Sequence, residues 1–412
     1  MIQCTLGLLA ICVIAAILSE NRKKISVRII LASLALQLVL GFFLLKFDVV
    51  RQGFLFLNRL VLTIDTATTE GTKMVFGYLG GATLPFQEIY PNSSIILAFK
   101  SLPIVLVMSA LSALLFYWKI LPVIVRLFSV VLNRTLKTGG AEGIGVSANI
   151  FVGMVEAPLL IKPYLGAMTR SELFTIMTSG MATIAGTVMV LYASILQSAI
   201  PGILGHILTA SIISAPAAIL IAKVMVPETG EITSGDFVTE KPYKSIMDAV
   251  TRGTIQGVDL LINIIAMIIV LVALVSIVNM ALGLLPEFQG KGVTLQRILG
   301  WIMAPVVWLM GIPWSESVTA GSLMGTKTVL NEFIAYIDLS NLPESALSER
   351  SRIIITYAMC GFANPASLGI MIGGMGVMAP ERRDEIVSLG FRSIVSGTLA
   401  TCMTGAVAGL FL

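Results

Sequence analysis

Eight stretches of this chain are apolar along nearly their whole length: 3–19, 26–46, 96–118, 173–197, 205–226, 255–284, 352–378 and 387–411. Crossing about 30 Å of hydrocarbon takes roughly 20 helical residues, so each reads as a membrane span. A soluble core could not absorb them: 56% of the 412 residues are apolar and only 12% are charged, where soluble domains carry about a quarter. The chain is therefore expected to be an all-α polytopic membrane protein of about eight transmembrane helices. Its 27 basic and 23 acidic residues leave a formal charge of +4. The basic ones fall in short clusters between apolar runs, which argues against nucleic acid as a partner. By the positive-inside rule, Arg22/Lys23/Lys24, Arg126/Arg134/Lys137, Lys162/Arg170, Lys241/Lys244 and Arg382/Arg383 face the cytoplasm, and both termini then lie outside. No basic residue precedes the first run, so it reads as an uncleaved span and not as a secretory signal.

Two further stretches, about 141–165 and 313–340, are apolar enough to enter the bilayer but too interrupted by Gly, Pro, Asn and Glu to cross it. Each precedes a polar turn and then a long span. Glu142, Glu156 and Glu172 in the first half are spaced much like Glu316, Glu332 and Glu349 in the second. The first stretch follows a cytoplasmic basic loop and the second approaches from outside, so the two are expected to be re-entrant hairpins in inverted repeats. That is the architecture of secondary transporters. Stretches 51–64 and 119–137 are amphipathic and suit interfacial helices. The polar segment 227–245 divides the halves. The expected organisation is scaffold helices in 1–118, a first repeat in 119–226, that linker, a long scaffold helix in 246–295 and a second repeat in 296–412.

Few residues in these surroundings could carry chemistry. Glu156 and Glu332 sit in apolar neighbourhoods, where an ionised carboxylate is costly unless it faces a polar cavity. Asn149 and Asn364 stand in similar settings and can donate to and accept from a hydroxyl or coordinate a cation. Pro365 removes a backbone donor and opens the helix near Gly361, and Thr183 places a hydroxyl beside Gly186 inside a span. Carboxylates, amides and hydroxyls at one depth suit a polyhydroxylated, mostly uncharged solute. Cys4, Cys12, Cys360 and Cys402 lack metal-binding spacing, and His206 alone cannot build multi-histidine metal chemistry. No cofactor is expected.

The segments Ala148-Asn149-Ile150-Phe151-Val152-Gly153-Met154-Val155-Glu156-Ala157-Pro158, Met168-Thr169-Arg170-Ser171-Glu172-Leu173 and Met181-Ala182-Thr183-Ile184-Ala185-Gly186 resemble the signature of concentrative nucleoside transporters. So do Gly311-Ile312-Pro313-Trp314-Ser315-Glu316, Val329-Leu330-Asn331-Glu332-Phe333 and Cys360-Gly361-Phe362-Ala363-Asn364 with Ser367. The resemblance, to the bacterial nucleoside permease type, covers nearly the whole chain. It implies a symporter of the cytoplasmic membrane, a homotrimer in which the first three spans and the sixth form a scaffold and the rest moves as an elevator. It implies that Glu332, Asn364 and Ser367 hold the ribose, with Phe362 nearby. The base would meet the first hairpin tip, Gly153 to Glu156, and Val188. Asn149 and Thr183 side chains with the carbonyls of Val152 and Ile184 would hold a coupling sodium ion. Two departures stand out. Met154 and Val155 replace the hydrogen-bonding Gln-Thr or Gln-Ser usual before the hairpin glutamate, so altered or relaxed base preference is expected. Pro365-Ala366 replaces a segment that usually carries a second serine or similar residue before Ser367.

A proton-coupled permease, or a carrier of an atypical nucleoside-like solute, is the alternative reading within the same class. Outside it, an intramembrane enzyme is disfavoured because Asp-rich diphosphate motifs and H-E-x-x-H are absent. A channel is disfavoured by the inverted broken segments.

Overall fold

The computed structural model describes residues 2–87, 96–197, 199–234, 243–287, 290 and 292–412, apart from the side chains of 48–52, 54, 55, 57 and 58. Part of the expected linker, 235–242 with Lys241, lies outside the described residues. Among the described residues the regular structure is all helical. The first half runs through α1 (Ile2–Ile17), α2 (Val27–Lys46), α3 (Asp48–Phe76), α4 (Leu97–Lys100), α5 (Ile104–Tyr117), α6 (Ile120–Leu136), α7 (Gly140–Asn149), α8 (Glu156–Leu159), α9 (Lys162–Leu165), α10 (Arg170–Ala182), α11 (Gly186–Leu196) and α12 (Ile203–Met225). The second comprises α13 (Ile246–Leu282), α14 (Leu295–Leu309), α15 (Trp314–Val329), α16 (Glu332–Asn341), α17 (Glu349–Met359), α18 (Pro365–Met378) and α19 (Arg383–Phe411).

Among the described residues six helices, counting α4–α5 and α10–α11 as one each, are long and apolar enough to cross a membrane. The expected run 3–19 is the 16-residue α1, and 352–378 is not continuous: it parts into α17 and α18 around Cys360–Asn364. The run 173–197 likewise breaks, at Thr183–Ala185. The amphipathic stretch 51–64 belongs to the 29-residue α3, and 119–137 is α6. Sequence reasoning did not single out α14, which is bent by 118° from α15.

The spans divide by what they face. In α12, 89% of the most apolar window is buried inside the chain; in α13 only 6% is. So apolar a window can be left that bare only against lipid or another subunit. At the centre, α10, α12 and α19 pack on one another, joined by hydroxyl pairs between Thr178 and Ser396 at 2.7 Å and Ser214 and Thr404 at 3.0 Å. α1 and α2 also pack on α12 and α19, whereas α5 packs chiefly on α13. That last pair meets through Gly253 and Gly257, one turn apart. A Cβ on Gly253 would stand 2.8 Å from the Ser109 carbonyl, so only glycine allows this approach.

The interrupted stretches are helical hairpins whose feet lie at opposite ends of the molecule. At the feet of the first, Lys223 at the end of α12 pairs with Glu142 of α7 at 2.9 Å and Glu228 at 3.0 Å. Gly140 N donates to Thr233 O, and Arg382 donates to the carbonyls of Leu165, Gly166 and Met168. The basic cluster around Glu20 shares this end: Arg170 binds Glu20 at 2.9 Å and Glu385 at 3.3 Å, and Arg392 also pairs with Glu20. At the feet of the second, Arg352 donates to the carbonyls of Leu342 and Pro343, and Ser348 to Glu316. Arg350 donates to Gly311 and Gly409 near the C-terminus, and Gln3 to Trp308 and Ile312. Both termini therefore share the end opposite the basic cluster. Glu142 and Glu316 are each third in the hairpin's first arm, and Glu156 and Glu332 each open its return.

Candidate functional site

The two hairpin tips meet the two broken spans. Phe151 O at the first tip accepts from Gly186 N at 3.0 Å, pinning that tip to the start of α11. Gly361, in the second break, lies against the end of α10, where a Cβ would be 2.8 Å from Met181 O. Asn331 caps α16 by accepting from Ile334 N at 2.9 Å, and Asn364 caps α18 by accepting from Ser367 N at 2.9 Å. Pro365 takes the first helical position after it, where a missing N–H does no harm. Both N-termini, positive ends of their helix dipoles, thus reach the same region.

Glu332 is held there. Tyr192 donates to Oε1 at 2.6 Å and Asn364 Nδ2 to Oε2 at 3.0 Å. These charge-assisted bonds, with two helix N-termini, let a carboxylate reside in an otherwise apolar interior. Around it lies a cavity of about 150 Å³ lined by Gly153, Met154, Val155, Glu156, Val188, Glu332, Phe362, Asn364 and Ser367. Every residue named from the sequence for solute binding lines this one cavity. Met154 nevertheless packs on Gly180 and Val155 on Gly374, so both side chains help wedge the tip between α10 and α18. Sequence reasoning missed Tyr192, Thr187, Asn263 and Asn331, which also line the cavity. Tyr192 lies one helical turn beyond Val188 on α11, a signal that was available.

A second cavity, of about 500 Å³, shares Gly153, Glu156, Thr187 and Leu260 with the first and extends to Phe116, Lys162 and Tyr243. Glu156 is exposed at the junction of the two. The path leads to the end that carries the basic cluster.

Of the four residues named for a cation, Val152 lines the second cavity, and Asn149, Thr183 and Ile184 line neither. Asn149 is buried at the end of α7, and neither its Oδ1 nor its Nδ2 has a hydrogen-bond partner. A buried unpartnered amide in an apolar interior is costly, and a bound cation would satisfy its oxygen. Thr183 and Ile184 are buried in the α10–α11 break and Val152 is half-buried in the tip. The Thr183 hydroxyl donates to Ser179 O at 2.9 Å, leaving oxygen lone pairs for an ion. The donor set, neutral oxygens without clustered carboxylates or imidazoles, fits a monovalent hard cation.

An all-helical protein with several apolar spans, whose polar cavity lies where two interrupted helical segments meet two broken spans, has the build of a solute transporter. Residues 206–409 match the family described as "Na+ dependent nucleoside transporter C-terminus", 6–79 its N-terminal counterpart, and 98–199 "Gate: Nucleoside recognition". The chain is 35% identical to the nucleoside permease NupC of Helicobacter pylori, over 98% of this chain and 96% of that one. It is 38% identical to the uncharacterized transporter YutK of Bacillus subtilis, covering 99% and 98%. The structure of CNTnw in an inward-facing substrate-bound state superposes with a TM-score of 0.91 at 33% identity, covering 100% of this chain and 97% of that one. The chain belongs to the concentrative nucleoside transporter family: it is a nucleoside transporter of the membrane, not an enzyme.

Proposed function

We propose that this protein imports nucleosides by symport with sodium, with the ribose held by Glu332, Asn364 and Ser367 beside Phe362. The base side of the cavity is the first hairpin tip, Gly153 to Glu156, with Val188. The observation that carries the coupling is Asn149: a buried, unpartnered amide in the strand of contacts joining the first tip to the α10–α11 break. Sodium bound by Asn149 and Thr183 side chains with the Val152 and Ile184 carbonyls would hold that tip on α11 and so pre-form the nucleoside site. The family's name supports sodium over protons.

Both hairpins are read as re-entrant, with the basic cluster cytoplasmic and both termini outside, in a bacterial cytoplasmic membrane. The second cavity is then the cytoplasmic exit, and Glu156 stands on the route. Movement is of the elevator type. The proposed stationary scaffold is the first three spans and the sixth; of these, α5 packs chiefly on α13, while α1 and α2 also pack on α12 and α19. The bare face of α13 suits a homotrimer interface. The test is uptake of labelled uridine and adenosine into proteoliposomes under a sodium gradient, a proton gradient or none. Concentrative uptake with sodium alone supports the reading; uptake driven by protons alone, or by neither, refutes it.

A further inference from the structure

Lys327 of α15 is fully buried, and among the described residues no carboxylate forms an ion pair with it. Its Nζ donates to Ala358 O at 3.4 Å and to Thr401 Oγ1 at 3.1 Å. The Thr401 hydroxyl hydrogen is spent on Thr398 O at 3.0 Å, so its oxygen can only accept from the lysine. Ala358 belongs to the last turn of α17, the negative end of that helix, just before the break that delivers Asn364 to Glu332. A cationic head among oxygens at a helix C-terminus, within electrostatic reach of Glu332 but not in an ion pair with it, is what a buried ammonium needs in a membrane interior.

The inverted repeats give this placement a meaning. Lys327 stands near the end of the second hairpin's first arm, as Asn149 does in the first hairpin, and it precedes Gly361 in the second break by as many residues as Asn149 precedes Thr183 in the first. In the first repeat, buried amide and hydroxyl oxygens are left for a mobile ion. In the second, the charge is covalently attached.

We propose that Lys327 is a tethered cation: its ammonium bridges hairpin α15, the end of α17 and α19, and does for the second break what sodium does for the first. The half of the site that holds the ribose is thereby pre-formed without an ion, and sodium controls only the half that meets the base. Lys327 is a positioning residue, acting through Asn364 and Glu332. This rests on the reading of Asn149 as part of a sodium site.

The test uses the purified full chain, with uridine affinity and its sodium dependence measured for Lys327→Met and Lys327→Ala. Lys327→Met keeps the length and removes the charge. It is expected to stay monodisperse, to lose uridine affinity by at least about tenfold as the competent break becomes less populated, and to keep the parent's half-effective sodium concentration. Lys327→Ala should lose as much and recover with methylammonium but not with choline, because only the small ammonium can refill the station. A purely structural lysine would not be rescued by an ion. Parental uridine affinity in Lys327→Met, or no rescue of Lys327→Ala, overturns the inference, as does failure of Lys327→Ala to fold even when methylammonium is present throughout. Failure of the parent to bind uridine, or a parental affinity indifferent to sodium, would instead overturn the reading beneath it.

Discussion

Tyr192→Phe isolates one hydrogen bond in the site. The Tyr192 ring is wedged against Tyr336, with centroids 5.0 Å apart, and Phe333, at 6.2 Å, and phenylalanine keeps those contacts. What disappears is the 2.6 Å bond to Glu332 Oε1. Hydrogen bonds to charged groups contribute about 1.5 to 3 kcal/mol, and about 1.4 kcal/mol is a factor of ten. If that bond fixes the carboxylate in the orientation that receives ribose hydroxyls, nucleoside affinity should fall roughly 10- to 150-fold. The remaining bond from Asn364 would hold only the other oxygen. Binding of labelled uridine to the purified protein at saturating sodium measures this directly, with a thermal melt alongside. The expected result is a weakened Kd at nearly parental Tm. A Kd within about twofold of the parent would refute the assignment of Tyr192 as the group that orients Glu332, and equal losses of Kd and Tm would show that the hydroxyl serves packing alone.

Other perturbations probe separate parts. Asn149→Ala should raise the sodium concentration for half-maximal uptake by at least about tenfold, about 1.4 kcal/mol, with the pH dependence unchanged; an unaltered sodium response would remove Asn149 from the ion site. Met154→Gln with Val155→Thr, both close in volume to the parent residues, should change the ratio of uridine to adenosine uptake by about tenfold or more, because polar groups at the tip can read a base edge; an unchanged ratio would show the tip does not face the base. Arg170 hydrogen bonds, more than any other influence, hold the Glu20 carboxyl below its ordinary value of 4.5. A depressed carboxyl stabilises above its unfolded pKa and loses that contribution as pH falls through the folded value. Tm should therefore drop below about pH 4.5 by more in the parent than in Glu20→Gln, with an effect of about 1 kcal/mol or less for so exposed a cluster; parallel acid profiles would count against the cluster.

The site residues were legible because carboxylates and amides are conspicuous where everything around them is apolar. Glu156, Glu332, Asn149 and Asn364 stand out for that reason, and Pro365 marks one break by its chemistry. The other break carries no such mark: Thr183-Ile184-Ala185 is compatible with a continuous helix, and only its contacts with the first hairpin tip explain why α10 stops. Tyr192 looks like core until a carboxylate is found within its reach. Helix α14 carries Gln296 and Arg297 in its first turn and is apolar from there on, but at 15 residues it is shorter than a membrane crossing needs and so does not read as a span. The pairing of Lys223 with Glu142 joins residues far apart in sequence, and nothing local in either element announces it.

Sodium and nucleoside are expected to bind as linked ligands through the Asn149 corner of the site. The most direct test is the Kd for uridine as a function of sodium concentration, in the parent and in Asn149→Ala, at fixed pH and ionic strength with choline as the replacement ion. The Kd should fall with rising sodium to a plateau in the parent, uridine should tighten sodium binding by the same factor, and Asn149→Ala should be flat over that range. A parental Kd indifferent to sodium, or one that follows pH instead, would contradict this linkage.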